Sequence, residues 1–223
     1  MYLTRMRLNP RRRQTIRFRN DAQAMHAAVE SSFPPSNVPD RNLWRLDGSR
    51  EEPALLILSE RVPSLEHLQE QAGWETERTW ETKSYDPLLS RIKTGQQYAF
   101  RLTANPTGIV TGDDGRKRRR AHVSAQYQLE WLIGKGEQIG ASFYSADSTN
   151  EPESSWNPVV VQRETQRFKR AGSQVTIVRA TFQGVLEVAS ADALREALVN
   201  GVGRAKAYGC GLLTLAPVAR GHD

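Results

Sequence analysis

Cysteine, histidine and long apolar runs are scarce in this sequence of 223 residues. The single cysteine, Cys210, cannot form an internal disulfide or complete a cysteine-rich zinc site, and it fits a reducing cytoplasm. The four histidines are far apart and none follows an H-x-x-x-H spacing, so we predict no metal site. No stretch reaches the roughly 18 apolar residues of a membrane span. The N-terminus lacks the apolar segment of a secretory signal, so a cytoplasmic protein without a membrane partner is expected.

Acidic residues are outnumbered, and the excess of basic residues is unevenly distributed. Lys and Arg number 31 against 25 Asp and Glu, which gives a net charge of +6. Most basic residues are arginines, whose planar guanidinium suits bidentate contacts with phosphate. Separated basic clusters predict a folded surface that follows a polyanion, with a merely solvated charged face as the alternative. Beyond the N-terminal arginines, these clusters contain Arg116, Lys117, Arg118, Arg119, Arg120, Arg163, Arg167, Lys169, Arg170, Arg204 and Lys206.

The first half of the chain has the periodicity of a β-α-β-β-(α)-β unit. Alternating polar and apolar residues predict strands, and apolar residues at helical spacing predict helices. An arginine-rich loop is expected over 9–19, before a helix that begins at Asn20 or Asp21 and runs to about Ser32. The other predicted elements are strands over 2–8, 42–46, 54–59 and 97–104 and a helix over 64–71.

The second half repeats this rhythm after a Gly- and Asp-rich loop predicted over 107–117. It is expected to contain helices over 124–133 and 191–200, a hairpin of strands over 159–168 and 174–182 that continues through 184–188, and a last strand over 210–215. We therefore predict an α+β protein with two tandem ferredoxin-like (RRM-like) domains, each an antiparallel sheet with helices on one face. The predicted domains are 1–108 and 123–223, joined by a basic linker loop over 109–122.

The segment GVGRAKAYGCG, residues 201–211, contains four glycines and two basic residues. It lies between a predicted helix and a predicted strand, which is the reverse of a P-loop, and its spacing is not that of a dinucleotide fingerprint. We therefore predict no nucleotide cofactor. Gly201, Gly203, Gly209 and Gly211 would let backbone amides approach a phosphate, with Arg204 and Lys206 adding charge. A tight helix-to-strand connection is the alternative.

His26 is the histidine whose position makes it a candidate for a chemical role. It follows Met25 of the apolar stripe in the first predicted helix, so it is expected at the edge of the buried face. A neutral imidazole there can take a proton from a sugar hydroxyl. A structural role is the alternative, and from the residues alone it is the more common one.

Five stretches in order along the chain resemble one family. The C-terminal GVGRAKAYGCGLLTLAP resembles the glycine-rich signature of the RAMP superfamily of CRISPR-associated proteins, and more narrowly that of the CasE family. MYLTRMRLNP, FRLTANP and TFQGVLEV are similar to strands of that family. The helix AMHAAVESSFP places His26 where the family has its catalytic histidine.

The resemblance implies two ferredoxin-like domains and a metal-independent endoribonuclease. Such an enzyme binds the stem-loop of a CRISPR repeat RNA and cuts at the 3′ base of the stem by attack of a 2′-hydroxyl. A 2′,3′-cyclic phosphate and a 5′-hydroxyl result, and the crRNA stays bound within the Cascade complex, beside other subunits such as the neighbouring backbone subunit. A non-catalytic RNA-binding scaffold subunit is the main alternative. A double-stranded DNA regulator is a weaker one, since no helix-turn-helix with a basic recognition helix is visible.

Two positions depart from the family pattern. Gln23 stands three residues before His26, where some members have a tyrosine; it can donate a hydrogen bond to a phosphate oxygen but cannot act as an acid. Arg204 stands where a proline is usual. In a site without metal, Lys206, other basic residues or backbone amides would have to stabilise the transition-state charge.

Overall fold

Two antiparallel sheets, each flanked by helices, make up the molecule. The computed structural model describes residues 1–37, 41–143, 158–170 and 172–218, with the side chain of Arg170 excepted. The predicted fold class, α+β with two ferredoxin-like units in tandem, is confirmed. Among the helices of the described ranges, none has the length and apolar character needed to cross a bilayer.

The N-terminal unit has the strand order of a ferredoxin-like fold. Its sheet runs in the order second, third, first and fourth strand. The strands are β1 (Tyr2–Arg7), β2 (Leu43–Asp47), β3 (Ala54–Ser59) and β4 (Trp80–Ser84). The helices are α1 (Arg13–Asn20), α2 (Ala22–Glu30) and α3 (Glu66–Ala72), and α4 (Asp86–Arg91) follows the sheet.

Apolar residues at alternate positions of the central strands explain why the helices cover one face of this sheet. Met6 on β1 and Leu55 and Ile57 on β3 are fully buried against Met25 and Val29 of α2. The Asp21 side chain caps α2 by accepting hydrogen bonds from two backbone amides of its first turn. The helix that carries His26 is therefore fixed at its start and along its buried face.

Two elements of this unit differ from the sequence prediction. The predicted loop over 9–19 is wrong, because residues 13–20 form α1, whose only buried residues are Thr15 and Phe18. Two buried positions three apart are too few to produce a visible helical stripe among arginines. The edge strand β4, with sequence WETKS, was not predicted, because it is mostly exposed and has no apolar alternation.

The C-terminal unit repeats the same strand order on a larger scale. Its sheet is formed by β5 (Gln97–Ala104), β8 (Ala141–Ser142), β9 (Val159–Arg170), β10 (Ser173–Val188) and β11 (Leu213–Pro217). The order is β11, β5, β10 and β8, and β9 also pairs with β10. The helices are α5 (Ala125–Ile133), α6 (Gly136–Ile139) and α7 (Ala191–Asn200). A separate hairpin is formed by β6 (Thr107–Thr111) and β7 (Lys117–Ala121).

Two further predictions are corrected in this region. The strand over 97–104 was placed in the first sheet, but β5 pairs with β10 and β11 and is the first strand of the second sheet. Alternation identifies a strand without identifying its partners, so the sequence pattern could not place it. The predicted loop over 107–117 is instead part of the β6–β7 hairpin, in which Ile109 faces Arg119 and Val110 faces Arg118.

A buried arginine joins the two units. Arg45 of β2 is 2% exposed, and its Nε and Nη2 donate to the Asp47 carboxylate, both at 2.7 Å. Its Nη1 donates to the backbone carbonyls of Arg101 and Leu212, and Nη2 also reaches Thr214 Oγ1 at 2.9 Å. All of its side-chain N–H groups thus have acceptors in a buried setting, and three of those acceptors belong to the C-terminal unit.

Candidate functional site

The two units meet where α2 contacts the glycine-rich segment. The imidazole of His26 packs edge-on against the ring of Tyr208, with the ring centroids 6.0 Å apart. Tyr208 ends a 3₁₀ turn, Lys206–Tyr208, in the middle of that segment. The structure therefore brings together His26 and the motif that contains Lys206, which the sequence singled out separately. Tyr208 itself was not predicted as a site residue.

One nitrogen of the His26 ring is buried without a hydrogen bond. Nδ1 has no hydrogen-bond partner, and Glu30 Oε1, one helical turn later, lies 3.8 Å away. The whole side chain is 28% exposed, so the ring meets solvent on the side away from Nδ1. Gln23, on the preceding turn, also has a buried Oε1 without a hydrogen bond. Glu30 was missed by the sequence analysis, although its i+4 spacing from His26 was a usable signal.

Lys206 places a partly buried cation on the turn that touches His26. Its pKa is lowered, first because burial disfavours the charged ammonium and second because of the neighbouring charge of Arg41. Its stem lies beside Gly211, where an added Cβ would come within 3.2 Å of Lys206 Cγ. The stem of Lys206 is thus packed against the glycine-rich segment.

The four glycines of the segment make room for protein atoms. All four have positive φ. A Cβ on Gly209 would lie 2.7 Å from the Trp44 ring, and one on Gly201 would lie 2.9 Å from the Leu43 side chain. Gly203 and Gly211 are crowded by Trp131 and by the Val202 carbonyl, respectively. The tight connection weighed as the alternative therefore accounts for these glycines, and a phosphate contact through their amides stays a prediction, as does one through the exposed Arg204.

The turn is held from both units. Trp44 Nε1 of β2 donates to the Ala207 carbonyl at 3.2 Å, and Arg179 Nη1 of β10 donates to the Tyr208 carbonyl at 3.3 Å. Arg179 is itself paired with Glu164, its cross-strand neighbour on β9. No sequence pattern indicated these bonds, because they join residues that are distant along the chain. They fix the turn that carries Lys206 and Tyr208 beside α2.

The strand β9 has a basic outer face and an inner face packed on the site. Arg163, Arg167 and Lys169 are exposed at alternate positions, as the predicted hairpin required, and Arg163 Nη1 donates to the Val123 carbonyl. On the inner face the ring of Phe168 lies 4.7 Å from that of Tyr208. The Arg170 side chain lies outside the described part of the structure. The row of basic residues is therefore on the strand that contacts the His26 neighbourhood.

The second basic cluster lies on the β6–β7 hairpin. Arg116, Lys117, Arg118, Arg119 and Arg120 are all exposed. Arg118 pairs with Asp114 in the hairpin turn, and Arg119 donates to Thr107 Oγ1 at 3.4 Å. These cations therefore lie on a separate two-stranded hairpin that belongs to neither of the two larger sheets.

Comparison with known proteins identifies relatives over the whole length. The sequence model of the family described as "CRISPR associated protein" matches residues 1–217. The chain is 28% identical over 221 residues to the CRISPR-associated endoribonuclease Cse3 of Thermus thermophilus, covering 97% of this chain and all of Cse3. It is 33% identical over 128 residues to the Cascade subunit CasE of Escherichia coli, covering 57% of this chain and 62% of CasE.

Solved structures give the same result. A structure of Cse3 bound to a 19-nucleotide RNA superposes with a TM-score of 0.79 at 27% identity, over 97% of this chain and 100% of the other. The CRISPR-associated protein Cas6e of Escherichia coli shares the fold, with a TM-score of 0.67 at 22% identity over 98% of this chain. The match of the family model over nearly the entire chain, together with the two-unit fold, shows that the protein belongs to the CRISPR-associated family that includes Cse3 and CasE.

Proposed function

We propose that the protein is a metal-independent endoribonuclease that processes precursor crRNA. It binds the stem-loop of a CRISPR repeat and cuts at the 3′ base of the stem. The products carry a 2′,3′-cyclic phosphate and a 5′-hydroxyl, and the mature crRNA stays bound within a Cascade complex. The family relation supports the general activity, because Cse3 is named an endoribonuclease and its solved structures include an RNA representing a pre-cleavage complex.

The observation that carries the proposal is the contact between His26 and the turn of Lys206 and Tyr208. A proton acceptor on one unit lies beside a turn of the other that bears a cation, next to a strand with an exposed basic row. RNA cleavage needs both a base for the nucleophile and positive charge for the phosphate. A partly exposed imidazole at this place supplies the proton acceptor that cleavage needs and that RNA binding alone does not require.

The reaction follows from these groups. His26 Nε2 accepts the proton of the 2′-hydroxyl, and the 2′-oxygen bonds to the adjacent phosphorus. The bond from phosphorus to the 5′-oxygen breaks, and that oxygen takes a proton from water. Lys206 stabilises the charge that develops on the phosphate, and Gln23 donates a hydrogen bond to a phosphate oxygen. General base catalysis of this kind contributes about 10² to 10⁴-fold to the rate.

The two basic clusters bind the RNA in different ways. The row on β9, Arg163, Arg167 and Lys169, has the spacing of alternate strand positions and enters the groove at the base of the stem, where the A-form major groove widens. The hairpin residues Arg116–Arg120 follow phosphates. Because CasE is named a Cascade subunit, we propose other Cascade subunits as protein partners, including the neighbouring backbone subunit.

A repeat RNA incubated with the protein in EDTA tests the proposal. Cleavage at the 3′ base of the stem should persist, and the upstream product should resist a ligase that needs a 3′-hydroxyl until its cyclic phosphate is opened and the resulting phosphate is removed. A substrate with a 2′-deoxy sugar at the scissile position should bind and stay intact. Cleavage of the deoxy substrate would point to a water nucleophile, and binding of both RNAs without any cleavage would indicate a scaffold subunit.

A further inference from the structure

The buried nitrogen of His26 needs a partner. A polar atom withdrawn from water without a hydrogen bond destabilises the folded protein, so an isolated Nδ1 is unfavourable whether it carries a proton or a lone pair. Nδ1 of His26 is in this condition, while the rest of the ring is partly exposed. In many catalytic histidines, the group that pairs with one ring nitrogen decides which nitrogen is available for chemistry.

Glu30 is placed to be that partner. Its Oε1 lies 3.8 Å from Nδ1, and its Oε2 lies 3.5 Å from the Asn42 amide nitrogen. The carboxylate is thus positioned between a histidine of its own helix and an asparagine next to β2. A small rotation of the half-exposed Glu30 side chain brings Oε1 to hydrogen-bond distance. Catalytic hydrogen bonds are often long in the free enzyme and shorten once the substrate is bound.

We propose that Glu30 is a positioning residue for His26. The Glu30 carboxylate accepts a hydrogen bond from Nδ1–H, which leaves the lone pair on Nε2, at the exposed side of the ring. When Nε2 takes the proton of the 2′-hydroxyl, the carboxylate stabilises the imidazolium that forms. This inference rests on the proposed role of His26 as the base, and it adds the residue that determines the tautomer.

The other groups around the ring do not replace Glu30. The Tyr208 ring makes a T-shaped contact with the imidazole, and Lys206 on the same turn is a cation, which cannot accept from Nδ1–H. The remaining acceptor on α2 is the neutral side chain of Gln23, which makes a weaker acceptor than a carboxylate. The position of the proton on His26 therefore depends on Glu30.

Nitrogen NMR of ¹⁵N-histidine-labelled protein tests the inference directly. In the wild type bound to the 2′-deoxy repeat RNA, the His26 proton should be on Nδ1. In Glu30→Ala the population should shift toward Nε2–H. Single-turnover cleavage of the normal repeat should fall by about 10- to 100-fold, as for other orienting partners of histidine, while the RNA Kd changes less than about threefold. Glu30→Gln, which keeps an acceptor oxygen without charge, should fall between the wild type and the alanine variant.

The matched control is Glu196→Ala, which removes a carboxylate from the exposed face of α7. It should leave the tautomer and the cleavage rate unchanged. An unaltered tautomer in Glu30→Ala would overturn the proposal, and so would a shift that appears in Gln23→Ala instead. If His26→Ala cleaves like the wild type, the proposed function of His26 fails, but the tautomer result for Glu30 can still be read from the NMR spectra.

Discussion

The corresponding pairs of strands in the two units differ greatly in length. At one edge of the N-terminal sheet, β2 and β3 are 5 and 6 residues long and mostly buried. At the matching edge of the C-terminal sheet, β9 and β10 are 12 and 16 residues long. The longer pair extends past its own sheet and packs through Phe168 and Ile177 into the core of the N-terminal unit. The same strand order thus gives short, mostly buried strands in the N-terminal unit and, in the C-terminal unit, a long arm formed by β9 and β10.

The connections that follow the first strand of each unit also differ in the elements they contain. Between β1 and β2 the chain forms α1 and α2, and α2 carries His26. Between β5 and β8 it forms the basic β6–β7 hairpin before two helices. The N-terminal unit therefore supplies His26, and the C-terminal unit supplies the two exposed basic clusters on β9 and on the β6–β7 hairpin. The difference teaches that two units with the same strand order can carry different groups, a histidine in one and clusters of exposed basic residues in the other.

The largest expected effect is that of His26→Ala, which removes the proposed base from the N-terminal unit. Single-turnover cleavage should fall by about 10² to 10⁴-fold, because the base is lost. RNA affinity should stay within a few-fold, since the basic residues lie elsewhere. Gel shifts and cleavage assays at matched protein concentration measure both. Equal losses of binding and cleavage would mean that His26 is structural.

Phe168→Ala tests whether the arm of the C-terminal unit is anchored on the N-terminal unit. Phe168 is buried against Tyr208, so truncation should destabilise the protein by about 3 kcal/mol. Urea unfolding followed by circular dichroism gives the value. Thr165→Ala, at an exposed position of the same strand, is the control and should change stability by less than about 0.5 kcal/mol. Similar losses for both variants would show that β9 is not anchored through its inner face.

The two basic clusters should differ in what their loss does to RNA binding. Arg167→Ala on β9 should reduce discrimination between the true repeat and a stem with altered base pairs by about 1–3 kcal/mol, by analogy with base contacts in DNA. Arg118→Ala on the hairpin should weaken both RNAs by the same factor and lower the salt slope by about one. Measurement of Kd for both RNAs at two salt concentrations decides between them. The reverse pattern would exchange the roles of the clusters.

The smallest expected effect concerns Ala205, just before the 3₁₀ turn. It is the non-glycine residue with positive φ, +61°, in the described part of the chain. An alanine in this region is strained by about 1–2 kcal/mol, partly offset by its lower entropy in the unfolded chain. Ala205→Gly should therefore raise stability by up to about 1 kcal/mol, or a few degrees in Tm. Ala207→Gly, in the turn itself, has no such strain to relieve and should lower the Tm.

Sequence periodicity predicted most of the fold, and its errors have a common cause. The strands and helices with several apolar residues on one face, such as β3, α2 and α7, were predicted because their burial pattern is visible locally. By contrast, α1 buries two residues and β4 is an exposed polar edge, so neither shows that pattern. The placement of β5 failed because partner choice depends on contacts with β10 and β11, far along the chain.

The site was only partly predictable. His26 and the glycine segment were singled out from the residues and then assigned their roles through resemblance to the CasE family, but nothing local to either indicated that they meet. Tyr208 forms that contact, and Arg179 holds it in place through a carbonyl. Both depend on how the two units pack. Glu30, by contrast, was within reach of the sequence, since helical spacing alone places it beside His26.

The buried position of Arg45 has a consequence for the order in which the protein becomes active during synthesis. The strands of the N-terminal unit are complete once Ser84 has been made, and domains fold largely as units as the chain emerges. Arg45 cannot yet form all of its hydrogen bonds, because its acceptors on Arg101, Leu212 and Thr214 are synthesised later, with β5 and β11. Until the ribosome has released these segments, part of its guanidinium can be satisfied only by water, and the angle between the units is not set. A nascent chain that already displays a folded His26 helix therefore still lacks the turn of Lys206 and Tyr208 that the proposed cleavage requires.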